Sequence, residues 1–500
     1  MRSRFVRAFV LTLLLCAVSS SATADDAEVF DVAGSVVEIR LIADAADPTA
    51  PWRTEGVEPF GGSGVIIEGN RVLTNAHVVE YAVAIEVKRA DESRAYTARV
   101  AFISHDADLA LLEVDDAAFF RGARPVPIGS MPQLLQKVDV YGFPVGGSTL
   151  SITSGIVSRI EIAVYAQSAR ELLSVQIDAA INSGNSGGPI ISAGAIAGIA
   201  MQTYGAAGAE NVGYMIPAPV VSHFLTDVGD GKYDGFPSLG LGLQQMKSEA
   251  LRASVGMDAP RTGGLVIQVD YGGPAFQKIL QGDVLLAIDG KPVADDLTIE
   301  WQGIGRVGYQ YALQSKQIGE PVSVSILRDG KTLTRSIVLT PHQMLVPGRR
   351  KTERPRYVIF GGLVFQPLNE ELLDEPSLVY EDSDVFATLE NVVTKDRQEI
   401  ILLQQVLPDR VNRGYQEWGG EIVSTINGVI PRDLDHVAKI LDSTRDRFVR
   451  IVVSGDYVLA IRTQAARDAA ERILDSYGIA EDRYLGGPSG PRKRPRRRRR

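Results

Sequence analysis

The chain has 500 residues, 45% of them hydrophobic, and a formal net charge of −9. That length accommodates about three domains at roughly 150 residues each, and the apolar share lets each bury its own core. The acidic balance argues against wholesale nucleic-acid binding.

The first feature in chain order is a leader. "MRSRFVR" is basic, "AFVLTLLLCAVSS" is a short apolar run, and Ala22-Thr23-Ala24 is a small-residue cleavage site. The pattern predicts a secretory signal peptide over residues 1–24. Its apolar run is shorter than the roughly 20 residues that span a bilayer; the alternative is an uncleaved anchor. Cys16 is the only cysteine and lies inside this run. Leu15 precedes it, where a lipid anchor needs a small residue. Cleavage leaves a mature chain with no disulfide, no cysteine nucleophile and no thiolate metal site.

Residues 25–230 read as one β unit. Short β-branched runs such as "SVVEIR", "SGVIIEG", "KVDVYGF" and "LSVQIDA" alternate with turns. Their length and spacing predict a barrel or sandwich rather than βαβ units. "PAPVVSHFLTDV" reads as a closing helix.

Nucleophilic catalysis by serine needs a base to take its proton and a third group to orient that base. This unit carries candidates for all three. His77 lies in "LTNAHVV", after a strand. Asp108 leads the run Leu109 to Val114, with Asp106 two residues away as its rival. Ser186 lies in "INSGNSGGPI", where glycines permit backbone angles closed to other residues. The amides of Gly184 and Ser186, with Asn185 between them, can converge on one oxyanion. Singly, these are a strand-end histidine, a solvated turn carboxylate and a glycine-serine loop. Together on one unit they favour catalysis.

"GDGKYDGFPSLG" marks a boundary, and a second unit spans 236–345. "VPGRRKTERPRY" is a charged linker, and a third unit spans 355–465. "GDVLLAIDGKPV" in one answers "GEIVSTINGVIP" in the other, and apolar-glycine runs, "SLGLGL" and "IFGGLVF", open both. The recurrence predicts a duplicated module. Residues 466–500 hold a helix-like stretch, "AARDAAERILDSYG", and a tail in which eight of the last nine residues are Arg or Lys. Such a tail does not fold by itself. It suits adhesion to an anionic surface; the alternatives are a solvated tail or one docked on the acidic body of the chain. No P-loop points to ATP. The histidines are scattered without metal-ligand spacing, so no metal or other cofactor is expected.

"GSGVII…VLTNAHVV", "HDADLALLEV", "TSGIVS" and "QIDAAINSGNSGGPI" resemble, in family order over residues 30–225, the HtrA/Deg serine proteases. The next two units resemble PDZ domains. The pattern is nearest to plant-type Deg proteases, whose second PDZ domain opens with a stretch like "RYVIFGGLVFQPL". That branch has organellar and nuclear members, and the secretory signal and Arg tail depart from it. The resemblance implies a mainly β fold, with a chymotrypsin-like double β-barrel followed by two α+β PDZ domains. It implies that His77 is the general base, that Asp108 rather than Asp106 orients it, and that Ser186 is the nucleophile. It also implies that the oxyanion hole is built at Gly184, Asn185 and Ser186, from the amides of Gly184 and Ser186 with Asn185 between them.

By the same resemblance Ala180, six residues before the nucleophile, is expected at the base of the specificity pocket, with Met201 on the opposing strand. An apolar residue such as Val, Ala, Ile or Leu is therefore expected before the scissile bond. In the PDZ units a peptide adds to a sheet edge, its carboxylate held by loop amides. Leu239, Gly240 and Leu241 fit that role in the first, and Gly361, Gly362 and Leu363 in the second. The second has an alternative role, taking an internal segment and holding an oligomer. The implied function is an ATP-independent endopeptidase, exported to the periplasm or secreted, that degrades unfolded or damaged proteins. It would assemble as a trimer or a multiple of it. The alternative is a latent protease acting as a chaperone or PDZ scaffold.

Overall fold

The computed structural model describes residues 32–145, 149–203, 213–341, 344–348, 354–373 and 393–486. The expected signal peptide and the Arg-rich tail lie outside the described residues. The fold is mainly β.

Six strands close the first barrel: β1 (Val36–Ala46), β2 (Thr54–Ile67), β3 (Arg71–Thr74), β4 (Ala82–Arg89), β5 (Tyr96–Ser104) and β6 (Leu109–Val114). They run around it in the order β1-β2-β3-β6-β5-β4. A one-turn helix, α1 (Ala76–Val79), follows β3. The second barrel has β7 (Lys137–Gly142), β8 (Ser151–Val164), β9 (Glu171–Ile177), β10 (Pro189–Ser192), β11 (Ala195–Thr203) and β12 (Gly213–Pro217), ordered β10-β11-β12-β9-β8-β7. Helix α2 (Ala218–Asp227) follows it.

Strand alternation explains why the first four residues of β6, Leu109 to Leu112, are all apolar and buried. Successive side chains point to opposite faces. Ala110 and Leu112 enter the core of the first barrel with Val37, Ile39 and Ile66. Leu109 and Leu111 face the other way, into a cluster shared with Tyr141, Ile199 and Ile216 of the second barrel. The seam between the barrels is thus as dry as their interiors, and the candidate site lies along it.

That cluster continues into the next unit through Phe236, Leu239, Tyr309 and Tyr311. There Leu241–Gln245 forms one edge of a sheet that proceeds through Gly264–Val269, Val284–Ile288, Pro321–Arg328 and Lys331–Val338. From this unit, Gln314 donates to the carbonyl of Glu171 on β9 of the second barrel at 2.6 Å.

The third unit holds a seven-stranded sheet. Its strand Leu363–Pro367 pairs on one side with Ile401–Val406 and on the other with Tyr357–Phe360, which in turn pairs with Arg483–Tyr484. The helix Thr463–Tyr477 belongs to this unit's core. Its stripe Ala466, Ala469 and Ile473 is buried, and Ala469 and Ile473 cluster with Tyr357, Ile359 and Val364. Between β1 and β2 the chain reaches this unit. Gln366 and Gln405 donate to the carbonyls of Pro48 and Thr49, and Trp52 stands edge-on to Tyr357 with centroids 5.7 Å apart.

Candidate active site

Asn75, in extended conformation, opens α1, and His77 occupies the helix's second position. The Asp108 carboxylate is fully buried, and His77 presents 13% of its side chain to solvent. His77 Nδ1 lies 2.9 and 2.8 Å from the two carboxylate oxygens of Asp108, and the His77 main-chain N–H donates to the first of them at 2.9 Å. A carboxylate in that position favours the tautomer with its proton on Nδ1, which makes Nε2 the acceptor nitrogen of the ring. Asp108 adopts a left-handed backbone, φ 53°, which aspartate tolerates better than most residues. Asp106 goes elsewhere. It lines a cavity of about 900 Å³ between the units, with Arg170 and Tyr233. Burial and the charge of Asp108 push the Tyr165 phenol well above its ordinary pKa. It stays a neutral donor, bonded to the carbonyl of Leu173 at 2.6 Å.

The Ser186 loop is held by its carbonyls. Ser183 O accepts from Val145 N at 2.8 Å and Asn185 O from Gly188 N at 2.9 Å. In a trans peptide the N–H points opposite to the C=O, so these bonds turn the amides of Gly184 and Ser186 outward. Neither amide has a main-chain acceptor among the described residues, whereas the Asn185 amide is used internally on Asn182 O at 2.9 Å. The Asn185 amide is thus occupied, and it lies between two amides that have no main-chain acceptor among the described residues. The glycines are obligatory here. A Cβ on Gly184 (φ +96°) would lie 2.4 Å from Phe143 O, and one on Gly187 would lie 2.2 Å from both Ser63 O and Thr74 Oγ1.

The Ser186 hydroxyl donates to the carbonyl of Met201 at 3.2 Å. The Met201 side chain is only 2% exposed and belongs to the core. Its main-chain carbonyl is what Ser186 touches through this hydrogen bond. Ala180 is exposed and its carbonyl accepts from Thr153 Oγ1 at 2.8 Å. Beside it Ile181, which sequence reasoning passed over, is buried against Gly213. Asn75 was also missed, though a polar residue directly before a short helix is a legible start signal.

Of the residues singled out in the PDZ units, Leu239 is buried, and Gly240 (φ +66°) donates to Ser238 Oγ at 2.9 Å. Leu241 opens a strand with one unpaired edge. Gly361 and Gly362 instead form a tight turn between two paired strands, with Gly361 O accepting from Asn412 Nδ2 at 2.9 Å. Leu363 lies on a strand with both edges taken, so no peptide strand can add there while Tyr357–Phe360 stays in place.

Residues 62–199 match the trypsin-like peptidase domain, and residues 237–339 and 346–484 each match a PDZ domain. The chain is 36% identical over 471 residues to Protease Do-like 2, chloroplastic, of Arabidopsis thaliana, covering 92% of this chain and 76% of that one. It is 34% identical to Protease Do-like 4, mitochondrial, of the same plant, covering 89% and 84% of the two chains. Among solved structures, an HtrA-type protease, AlgW with tripeptide, shares the fold with TM-score 0.50, 23% identity and coverage of 63% of this chain and 97% of that one. The chain belongs to the Do-like (HtrA/Deg) family of serine endopeptidases, with a trypsin-like peptidase domain followed by two PDZ domains.

Proposed function

We propose that this chain is an ATP-independent endopeptidase of unfolded or damaged proteins, working outside the cytosol with Ser186 as its nucleophile. His77 takes the Ser186 proton as Oγ attacks the scissile carbonyl, and returns it to the leaving amine. Asp108 holds the imidazole in the tautomer that can do this. The amides of Gly184 and Ser186 receive the oxyanion, and water then releases the acyl group. The carrying observation is the joint geometry: a buried carboxylate with both oxygens within 2.9 Å of His77 Nδ1, beside a loop whose two outward amides flank Asn185.

The absence of an acid at Ala180 supports cleavage after a small apolar residue. The free edge of Leu241–Gln245 supports peptide capture by the first PDZ domain. The second, whose corresponding strand is paired in cis, serves assembly into a trimer or a multiple of it. Chloroplastic and mitochondrial relatives and the leader-like start support a compartment outside the cytosol, the periplasm or the exterior for a secreted chain. The basic tail supports contact with an anionic surface.

Digestion of casein by the wild type and by Ser186→Ala tests the reading. Loss of the serine is expected to abolish turnover, by about 10⁵-fold or more. Equal inertness of both proteins under every activating peptide would favour the latent chaperone or scaffold, a reading to which the Ser186–Met201 hydrogen bond lends weight.

A further inference from the structure

We infer that Ser63 is a positioning residue for the oxyanion-binding loop, acting through its hydroxyl and amide on the two carbonyls either side of Asn185. Ser63 lies on β2 in "GGSGVII" and is fully buried. Its amide donates to Ser186 O at 2.9 Å. Its hydroxyl accepts from Phe143 N at 2.8 Å and donates to Gly184 O at 2.7 Å.

A hydroxyl has one proton, and the incoming Phe143 N–H leaves only the lone pairs for acceptance. The proton is therefore directed at Gly184 O. That bond fixes the peptide between Gly184 and Asn185, with its N–H turned inward to Asn182 O. The two neighbouring peptides, those with the outward amides of Gly184 and Ser186, cannot both keep their direction if this middle one rotates. Main chain from three places, β2, the segment after β7 and the nucleophile loop, meets at this one oxygen. Space admits no larger adjustment. A Cβ on Gly142 would lie 3.0 Å from Ser63 Oγ, and one on Gly188 would lie 2.1 Å from Tyr141 O. Thr74 Oγ1 donates to Ser63 O at 2.7 Å, a bond of equal burial that does not touch the loop carbonyls. It supplies a control.

This inference rests on Ser186 as the nucleophile. The test uses the full chain as wild type, Ser63→Ala, Ser63→Thr and Thr74→Val, with a peptide substrate, a peptide boronic acid that mimics the tetrahedral state, and hydrogen exchange of residues 182–188. Ser63→Ala is expected to lower kcat by about 10²-fold, in the range of losing an oxyanion donor, with KM within about twofold. Boronate affinity weakens in parallel, and exchange of the loop rises. Ser63→Thr, which keeps the hydroxyl, recovers most of the loss. Thr74→Val lowers the melting temperature but keeps kcat per folded chain within about threefold. If Ser63→Ala does not fold, Ser63→Cys, with a weak donor, must show the same split between kcat and KM. A folded Ser63→Ala with unchanged kcat and unchanged loop exchange overturns the inference. So does a Thr74→Val that loses as much kcat as Ser63→Ala. Failure of the wild type to react with a fluorophosphonate at Ser186 counts against the nucleophile instead, and the exchange readout still decides the role of Ser63.

Discussion

Asn75 donates its side-chain amide to the main-chain carbonyl of Asp108 at 2.9 Å, tying the residue that opens the His77 helix to the residue that faces the imidazole. Both are fully buried. Asn75→Ala leaves the Asp108 carbonyl without this donor and the left-handed Asp108 backbone less supported. A buried polar group left unpaired costs about 1–3 kcal/mol. The variant should unfold at lower denaturant and lose kcat more than it gains in KM, both read on one protein preparation.

Gly184→Ala places a Cβ in contact with Phe143 O and Val145 N at a φ of +96°, which L-residues rarely adopt. The loop must shift, and the outward Gly184 amide, the proposed oxyanion donor, shifts with it. The expected loss is about 10²–10³-fold in kcat, with KM for a short peptide little changed. Steady-state kinetics that show the loss in KM instead would place Gly184 in substrate binding.

Trp52 joins the peptidase domain to the second PDZ domain through its contact with Tyr357, and Gln366 and Gln405 reach the same segment. Trp52→Ala should loosen this seam by about 0.5–1.5 kcal/mol beyond its burial. Hydrogen exchange of Tyr357–Phe360 is expected to rise, while cleavage of a short peptide stays near the wild-type rate.

His223 sits where α2 meets the first PDZ domain, stacked on Phe236 with centroids 4.1 Å apart; its carbonyl accepts from Gln317 at 3.3 Å. Burial pushes its pKa down from the ordinary 6.5. The native state holds it neutral, and the unfolded state takes up a proton as pH falls through about 6.5. Stability from this residue is therefore complete above that value and lost progressively as pH falls below it. Chemical denaturation at pH 7.5 and 5.5 should show a drop in the wild type that His223→Gln reduces.

The two PDZ domains should respond differently to an added peptide. A peptide ending in a free apolar carboxylate is expected to slow amide exchange in Leu241–Gln245, whose edge is open, and not in Leu363–Pro367, whose edges are both paired. Protection of both strands would mean that Tyr357–Phe360 leaves its place when peptide arrives.

The sequence by itself determined the elements and the chemistry that can be spelled locally. Alternation and turn glycines in residues 30–225 specify strands, because side-chain direction repeats every two residues. The repeated turn motifs marked a duplicated module. His77, Asp108 and Ser186 were legible as types in a fixed order, and "NSGNSGG" as a loop needing glycine angles. Tertiary structure alone decided what depends on distance across the chain. The family resemblance already favours Asp108 over Asp106, and the tertiary structure adds where each goes, Asp108 against His77 and Asp106 into the cavity. Tertiary structure buried the Met201 side chain while leaving its carbonyl beside Ser186, and it paired Tyr357–Phe360 against Leu363–Pro367, leaving that strand no open edge. Ser63 makes the same point. Nothing in "GGSGVII" says that its hydroxyl will meet Gly184, 121 residues on. A hydrogen bond acts over about 3 Å, and only closing the two barrels against each other brings those atoms that near.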